Sequence, residues 1–269
     1  MPRRSRLDAE LVRRGLAGSR ERAVELVNAG LVKVGGSTAT KPATAVHPGA
    51  ALIVDEPADP AGRYASRGGH KLAGALDAFA AGGLTVTSRR CLDAGASTGG
   101  FTDVLLRRGA TSVLAVDVGY GQLVWALQTD PRVRVLDRTN VRNLEPDDVG
   151  TLVDVVVADL SFISLGLVLP ALRRCALATA DFVLMVKPQF EVGRERLGTG
   201  GVVRDPQLRA SAVAGVAAQA QALGLGTAGV VASGLPGPAG NVEYFLWLQA
   251  AAAPLQTAAL EHAVATGPQ

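Results

Sequence analysis

The stretch Cys91-Leu92-Asp93-Ala94-Gly95-Ala96-Ser97-Thr98-Gly99-Gly100-Phe101 places a carboxylate and a glycine-rich turn at the end of an apolar run. Such a run reads as a buried strand that breaks at the glycines and enters a helix. Glycines let the backbone approach a ligand closely at little cost in strain. The turn lacks the Gly-Lys-Ser or Gly-Lys-Thr of a nucleotide-phosphate loop, and Ala96-Ser97-Thr98 interrupts the dinucleotide spacing. Asp93 can meet a cationic or amine-bearing ligand. The combination suits S-adenosylmethionine, which carries a sulfonium and an amino acid where a dinucleotide carries pyrophosphate. Gly95, Ser97, Thr98, Gly99, Gly100 and Phe101 are the candidate cradle.

Further candidates follow other apolar runs. Asp117-Val118 ends a second run roughly 20 residues beyond the turn, the distance at which a carboxylate takes ribose hydroxyls. A nicotinamide enzyme would place an acid there too, so Asp117 points to an adenosine-type ligand and nothing finer. Asn140 suits an adenine amine or a simple turn equally well. Asp159 follows Val155-Val156-Val157-Ala158, and Lys187 follows Phe182-Val183-Leu184-Met185-Val186. Charged groups are rarely buried unpaired. A structural ion pair between Asp159 and Lys187 would answer that, but this reading weakens when Lys71 and Glu243 join the list, because a pair does not need four members.

The elements that must position these residues alternate. Strands are predicted over Arg90–Ala94, Ser112–Val118, Val133–Asp137, Val153–Leu160, Phe182–Lys187, Gly229–Ala232 and Glu243–Leu248. Helices are predicted over Gly69–Ala80, Gly100–Arg108, Gln122–Gln128, Ile163–Ala176 and Pro206–Leu223. This is the pattern of an α/β fold, a mostly parallel sheet covered on both faces, in which ligands bind beyond the carboxyl ends of the strands. The last fifteen or so residues are expected to fray. Ahead of this body, Ser5-Arg6-Leu7-Asp8 resembles a capping box opening a helix that Gly15 closes. Ser19 can cap a second helix ending at Gly30, and strands are expected at Leu31–Val34 and Ala51–Val54. Asp55–Gly62 reads as a linker, giving a small α+β unit over 1–60 and the α/β body over 61–269.

Composition bounds the partners. Hydrophobic residues make up 48% of the 269, enough for a packed core, while histidines at 47, 70 and 262 give no metal-ligand spacing. Cys91 and Cys175 lie in apolar stretches and read as buried free thiols. The first segment is basic, with Arg4, Arg6, Arg14, Arg20, Arg22, Lys33 and Lys41 among its cations, which suggests a polyanionic partner. A solvated helical surface would look the same. Val153–Leu172 is long and apolar, but Asp154 and Asp159 within it favour two shorter buried elements over a membrane span. With no export signal at its N-terminus, the chain is expected to be cytoplasmic.

Taken together, the residues resemble a known family. The body is similar to the FtsJ-like RNA ribose 2′-O-methyltransferases. The whole chain, over residues 3 to 250, resembles the TlyA group of ribosomal RNA 2′-O-methyltransferases, historically called haemolysins, which add an S-four-like RNA-binding domain. The likeness rests on Ser5-Arg6-Leu7-Asp8, Arg14-Gly15-Leu16, Ser66-Arg67-Gly68-Gly69-His70-Lys71-Leu72, the glycine turn, Ala158-Asp159-Leu160-Ser161-Phe162, Val186-Lys187-Pro188-Gln189-Phe190 and Gly240-Asn241-Val242-Glu243-Tyr244-Phe245. The resemblance implies a Rossmann-like sheet of seven strands and a catalytic tetrad of Lys71, Asp159, Lys187 and Glu243. It implies S-adenosylmethionine as methyl donor, with Asp159 also beside it, and a cytidine 2′-hydroxyl in ribosomal RNA as acceptor. Lys187 would be the base, with the neighbouring ammonium of Lys71 disfavouring a second positive charge. Arg67 and the cations of the first segment would grip RNA phosphates. Two other readings are a membrane-active haemolysin and a non-catalytic RNA-binding assembly factor.

Overall fold

The computed structural model describes residues 4–14, 16–17, 20–47, 49–54 and 64–268. The N-terminal unit contains β1 (Ser5–Arg6), α1 (Leu7–Arg13), α2 (Arg20–Asn28), β2 (Val32–Val34), β3 (Ser37–Thr38), β4 (Ala45–Val46) and β5 (Leu52–Val54). β2 lies between β3 and β5 in one antiparallel sheet, and β1 pairs with β4 in another. Leu7, Leu11, Ala23, Leu26, Val27, Val32 and Val46 close a small core. Gly30, at φ 72°, turns the chain out of α2, as its position predicts.

The expected capping box is not formed. Ser5 belongs to β1, opposite Val46, and Arg6 takes the N-cap position without a side-chain capping hydrogen bond. The Ser5 hydroxyl instead donates to Glu10 at 2.9 Å, and Asp8 accepts the Arg6 guanidinium at 2.7 Å. Strand pairing wins because it satisfies the Ser5 backbone, which a cap would leave to solvent. Gly15, Ser19 and the Asp55–Gly62 linker lie outside the described residues.

The body runs α3 (Gly68–Ala80), β6 (Arg90–Ala94), α4 (Gly100–Arg107), β7 (Ser112–Val116), α5 (Trp125–Gln128), β8 (Val133–Leu136), α6 (Pro146–Val149), β9 (Val153–Ala158), α7 (Leu165–Arg174), β10 (Ala176–Val186), α8 (Pro188–Glu191), α9 (Pro206–Ala222), β11 (Gly226–Ala232), β12 (Tyr244–Gln249) and α10 (Thr257–Thr266). Seven strands form one sheet in the order β8-β7-β6-β9-β10-β12-β11, with β12 antiparallel to both neighbours and the other pairings parallel. Successive side chains of a strand face opposite ways. Leu92, Val156, Ala158 and Leu184 therefore pack under α7, α9 and α10, while Cys91, Val155, Val157 and Met185 pack under α3, α4 and α5. Both cysteines are buried free thiols, and burial pushes Cys91 up to about 12.

Several boundaries differ from the sequence reading. β10 starts at Ala176, with a register shift before Asp181, and α5 starts only at Trp125. The C-terminal segment forms α10 and buries Leu260 and Ala263, so packing overrides its expected fraying. Val153–Leu172 divides into β9 and most of α7, which continues through Pro170; among the described residues no helix is long and apolar enough to cross a membrane.

Candidate active site

The strand order reverses beside β6, so the crevice beyond its carboxyl end is the topological switch point. Asp93 lies there, fully buried. Its Oδ2 accepts the Thr102 hydroxyl at 2.7 Å, while Oδ1 has no hydrogen-bond partner. Burial pushes its carboxyl up to about 7; hydrogen bonds from Thr102 oppose this, and the charges of Asp159 and Asp117 reinforce it. An orphaned buried oxygen suits a ligand amine. At Gly95 φ is 85°, and a Cβ would stand 2.4 Å from the Asp159 carbonyl oxygen. Gly99, at φ 101°, caps α4 and leaves no room for a Cβ against Leu127. The turn is thus bare backbone held close to the next strand end, with Gly100 opening α4.

The remaining cradle candidates divide. Asp117 accepts the Ser97 amide at 2.9 Å and the Gly119 amide at 2.7 Å, so its carboxylate ties the two turns together. Ser97 takes φ 48°, and the carbonyl of half-buried Thr98 accepts the Val124 amide at 3.2 Å. Val118 is 51% exposed beside this rim, an apolar surface available to a planar ring. Phe101 is buried in the core, its ring centroid 6.1 Å from that of Phe245, and supports the turn from beneath. Asn140 caps a short turn, its Oδ1 accepting the Arg142 amide at 3.0 Å, which is the turn role its sequence allowed.

The four charged residues meet at one edge of the sheet. Val186 of β10 pairs with Tyr244 of β12, and Leu184 of β10 lies beside Ala158 of β9. Asp159, Lys187 and Glu243 therefore extend from three neighbouring strands, and Lys71 comes from the first turn of α3. Lys71 Nζ lies 2.5 Å from Glu243 Oε2, with the side chains 8% and 1% exposed. Lys187 Nζ lies 2.6 Å from Asp159 Oδ1, an ion pair outside hydrogen-bonding geometry, and donates to Ser161 Oγ at 3.0 Å. α3 also touches the second pair, since a Cβ at Gly68 would stand 3.8 Å from Asp159 Oδ2. Each ammonium thus has its own carboxylate. Glu243 is held by its approach: buried Asn241 accepts the Val203 amide at 2.9 Å and donates to the Gly201 carbonyl at 3.0 Å.

Sequence reasoning missed Phe162. It has φ 64°, is 38% exposed and packs on Phe190 with centroids 5.1 Å apart. The available signal was an aromatic shortly after each charged strand tip in a chain with only 4% aromatics.

In the N-terminal unit the expected RNA contacts are partly engaged within the fold. Arg6 and Arg20 both reach buried Asp8, and Arg14 binds Glu10 at 2.8 Å and the Ala50 carbonyl at 2.7 Å. Hydrogen bonds from Arg13 and Arg14 hold Glu10 well below the usual carboxylate range. Arg4 and Lys41 are exposed, Lys33 lies half-buried in β2, and Arg67 is half-buried at the N-cap of α3. Arg22 is on α2, its side chain outside the described set.

Comparison with known proteins accords with this geometry. The FtsJ-like methyltransferase family matches residues 64–250 and the S4 domain family residues 5–52. The 16S/23S rRNA (cytidine-2′-O)-methyltransferase TlyA of Mycobacterium tuberculosis is 63% identical over 249 residues, 93% of this chain and 91% of that protein. Hemolysin A of Brachyspira hyodysenteriae is 34% identical over 240 residues, 89% and 97% of the two chains. A solved structure from Streptococcus thermophilus bearing the name hemolysin superposes with a TM-score of 0.72 at 38% identity, covering 98% of this chain and 96% of its own.

Proposed function

Because the chain belongs to the FtsJ-like methyltransferase family, in the TlyA group with an S4 domain ahead of the enzyme body, we propose that it methylates a ribose 2′-hydroxyl, that of a cytidine, in ribosomal RNA. The observation that carries this reading is the meeting of Lys71, Asp159, Lys187 and Glu243 in two ion pairs beside the glycine turn. Residues 1–60 serve RNA binding and 61–269 the chemistry. S-adenosylmethionine, when bound, supplies an electrophilic methyl on sulfur. Asp93 Oδ1 suits its amine, the backbone of Gly95–Gly100 its methionine portion, and the Asp117–Val118 rim its nucleoside.

A ribose hydroxyl is a weak nucleophile at neutral pH, so a base aimed at its proton contributes. Lys187 Nζ, after releasing one proton of its ammonium to solvent, takes the hydroxyl proton as the neutral amine, and Asp159 and Ser161 aim it. The buried Lys71–Glu243 pair forms the adjoining wall and fixes charge where the hydroxyl must lie. The exposed face of Phe162 offers a stacking surface to the target base, which must leave its helix to reach the site. Holding hydroxyl, methyl and sulfur in line supplies much of the acceleration. Such a substrate places the work in the cytoplasm, on ribosomal RNA or assembled subunits. The membrane-active reading gains nothing from Val153–Leu172, which is a strand and a helix of the enzyme body. Mapping ribose methylation on ribosomal subunits incubated with the protein and labelled S-adenosylmethionine tests the proposal. Label in 2′-O-methylcytidine, lost in Lys187→Ala, is the expected result; label confined to bases, or none, overturns it.

A further inference from the structure

Beyond the end of the β9–β10 ladder the two chain segments stay joined through side chains. Asp159 meets Lys187 at 2.6 Å, Ser161 accepts from Lys187 at 3.0 Å, and Phe162 packs on Phe190. The last contact is made by Glu191. Its Oε2 accepts the Ser164 hydroxyl at 2.6 Å and its Oε1 accepts the Leu165 amide at 2.8 Å. Ser164 is itself the N-cap of α7, so the carboxylate sits where the helix presents free amides and a partial positive charge.

Glu191 is firmly linked to Lys187. α8 is a single turn that starts with Pro188 immediately after Lys187, and the Phe190 amide donates to the Lys187 carbonyl at 2.9 Å. The path Lys187–α8–Glu191–Ser164–Asp159–Lys187 is thus a closed ring, covalent along both segments and bridged at each end. Opening the bridge at Glu191 leaves the two segments tied beyond Ser161 by the Phe162–Phe190 contact alone, a looser hold on the Asp159 and Lys187 side chains.

Resting on the assignment of Lys187 as base, we infer that Glu191 is a positioning residue for methyl transfer, holding the Lys187 amine against Asp159 from the far end of the ring. It touches no reacting atom. Its worth lies in alignment, where a displacement of about 1 Å can cost on the order of 100-fold in rate.

The full-length protein tests this with ribosomal subunits as acceptor. Glu191→Ala should lower kcat by about 10- to 100-fold, leave KM for RNA and Kd for S-adenosylmethionine near wild type, and shift the acid limb of the kcat–pH profile. Glu191→Gln can still accept from Leu165 and donate to Ser164, so it should restore most of kcat and the original limb. Ser164→Ala, which removes one of the two contacts, should fall between. Glu191→Ala that is folded and keeps both kcat and the pH limb overturns the inference. So does Glu191→Gln as impaired as Ala, which also serves if the Ala variant does not fold. Lys187→Ala separates the two readings: an active Lys187→Ala refutes the base assignment, whereas an inactive one beside a wild-type-like Glu191→Ala refutes only the role of Glu191.

Discussion

Replacing the Lys71–Glu243 pair, one member at a time and then together, distinguishes an ion pair kept for chemistry from one kept for the fold. The two charges are 2.5 Å apart with side chains 8% and 1% exposed, so neither has water to turn to. Removing one partner of such a pair costs about 3–5 kcal/mol, because the other charge is left buried and uncompensated. Replacing both with apolar residues of similar volume is often neutral or stabilising by about 1–4 kcal/mol, because two desolvation penalties vanish together. Lys71→Met and Glu243→Leu should therefore each lower the unfolding free energy by about 3–5 kcal/mol, a large part of the roughly 5–15 kcal/mol of a typical domain. The double variant should match wild type or exceed it by up to about 4 kcal/mol. Urea unfolding measures the stabilities, and transfer of labelled methyl to ribosomal subunits measures the chemistry. All three variants should lose methyl transfer, and the double variant should still bind S-adenosylmethionine. A stable double variant that transfers methyl would refute the placement of this pair in the active site. Stability losses that merely add in the double variant would refute the coupling of the two charges.

Other outcomes follow from single residues. Asp93 is raised from 3.8 to about 7 by burial, so its contribution to apoprotein stability is complete below the lower value and lost as pH rises through the higher one. The apoprotein should unfold at lower urea at pH 8 than at pH 5, and Asp93→Asn should remove that part of the difference. If Asp93 meets the cofactor amine as a carboxylate, Kd for S-adenosylmethionine should rise as pH falls below about 7, read by calorimetry with Asp93→Asn as control. Gly95→Ala combines φ 85° with a Cβ 2.4 Å from the Asp159 carbonyl oxygen, so it should weaken cofactor binding and methyl transfer together. Arg14→Ala removes bonds to Glu10 and Ala50 and should destabilise the N-terminal unit, seen as faster proteolysis. Neutralising Arg4 and Lys41 should spare the fold and flatten the salt dependence of RNA affinity, by about 0.7–0.9 in log–log slope for each phosphate no longer neutralised.

The sheet was legible because its strands are apolar on both faces: Arg90–Ala94 in the sequence is Arg90–Ala94 in the structure. β1 and β4 were not, since two-residue strands exist only through their partner. Nor was α10, whose alanine-rich sequence has a weak apolar stripe and is fixed by burying Leu260 and Ala263. Asp159 and Lys187 showed themselves for the reason the strands did: a lone charge after an apolar run is conspicuous. Pairing is a different matter. Lys71 and Glu243 are 172 residues apart, and nothing local in either segment names the other. The contacts of Phe162 and Glu191 were hidden for the same reason, because both arise where the loops after β9 and β10 meet.

Chain direction explains the placement of Glu243. Ligands of a parallel sheet gather at the carboxyl ends, so Asp159 and Lys187 each follow their strand. β12 runs the other way, which brings its amino end to that same edge. A group delivered there from β12 must therefore precede the strand, as Glu243 does. Were β12 parallel, Glu243 would sit at the opposite edge, remote from Lys71, and α3 would bring a buried ammonium to a place with no carboxylate to receive it. The single antiparallel strand is thus what lets the two ion pairs stand side by side.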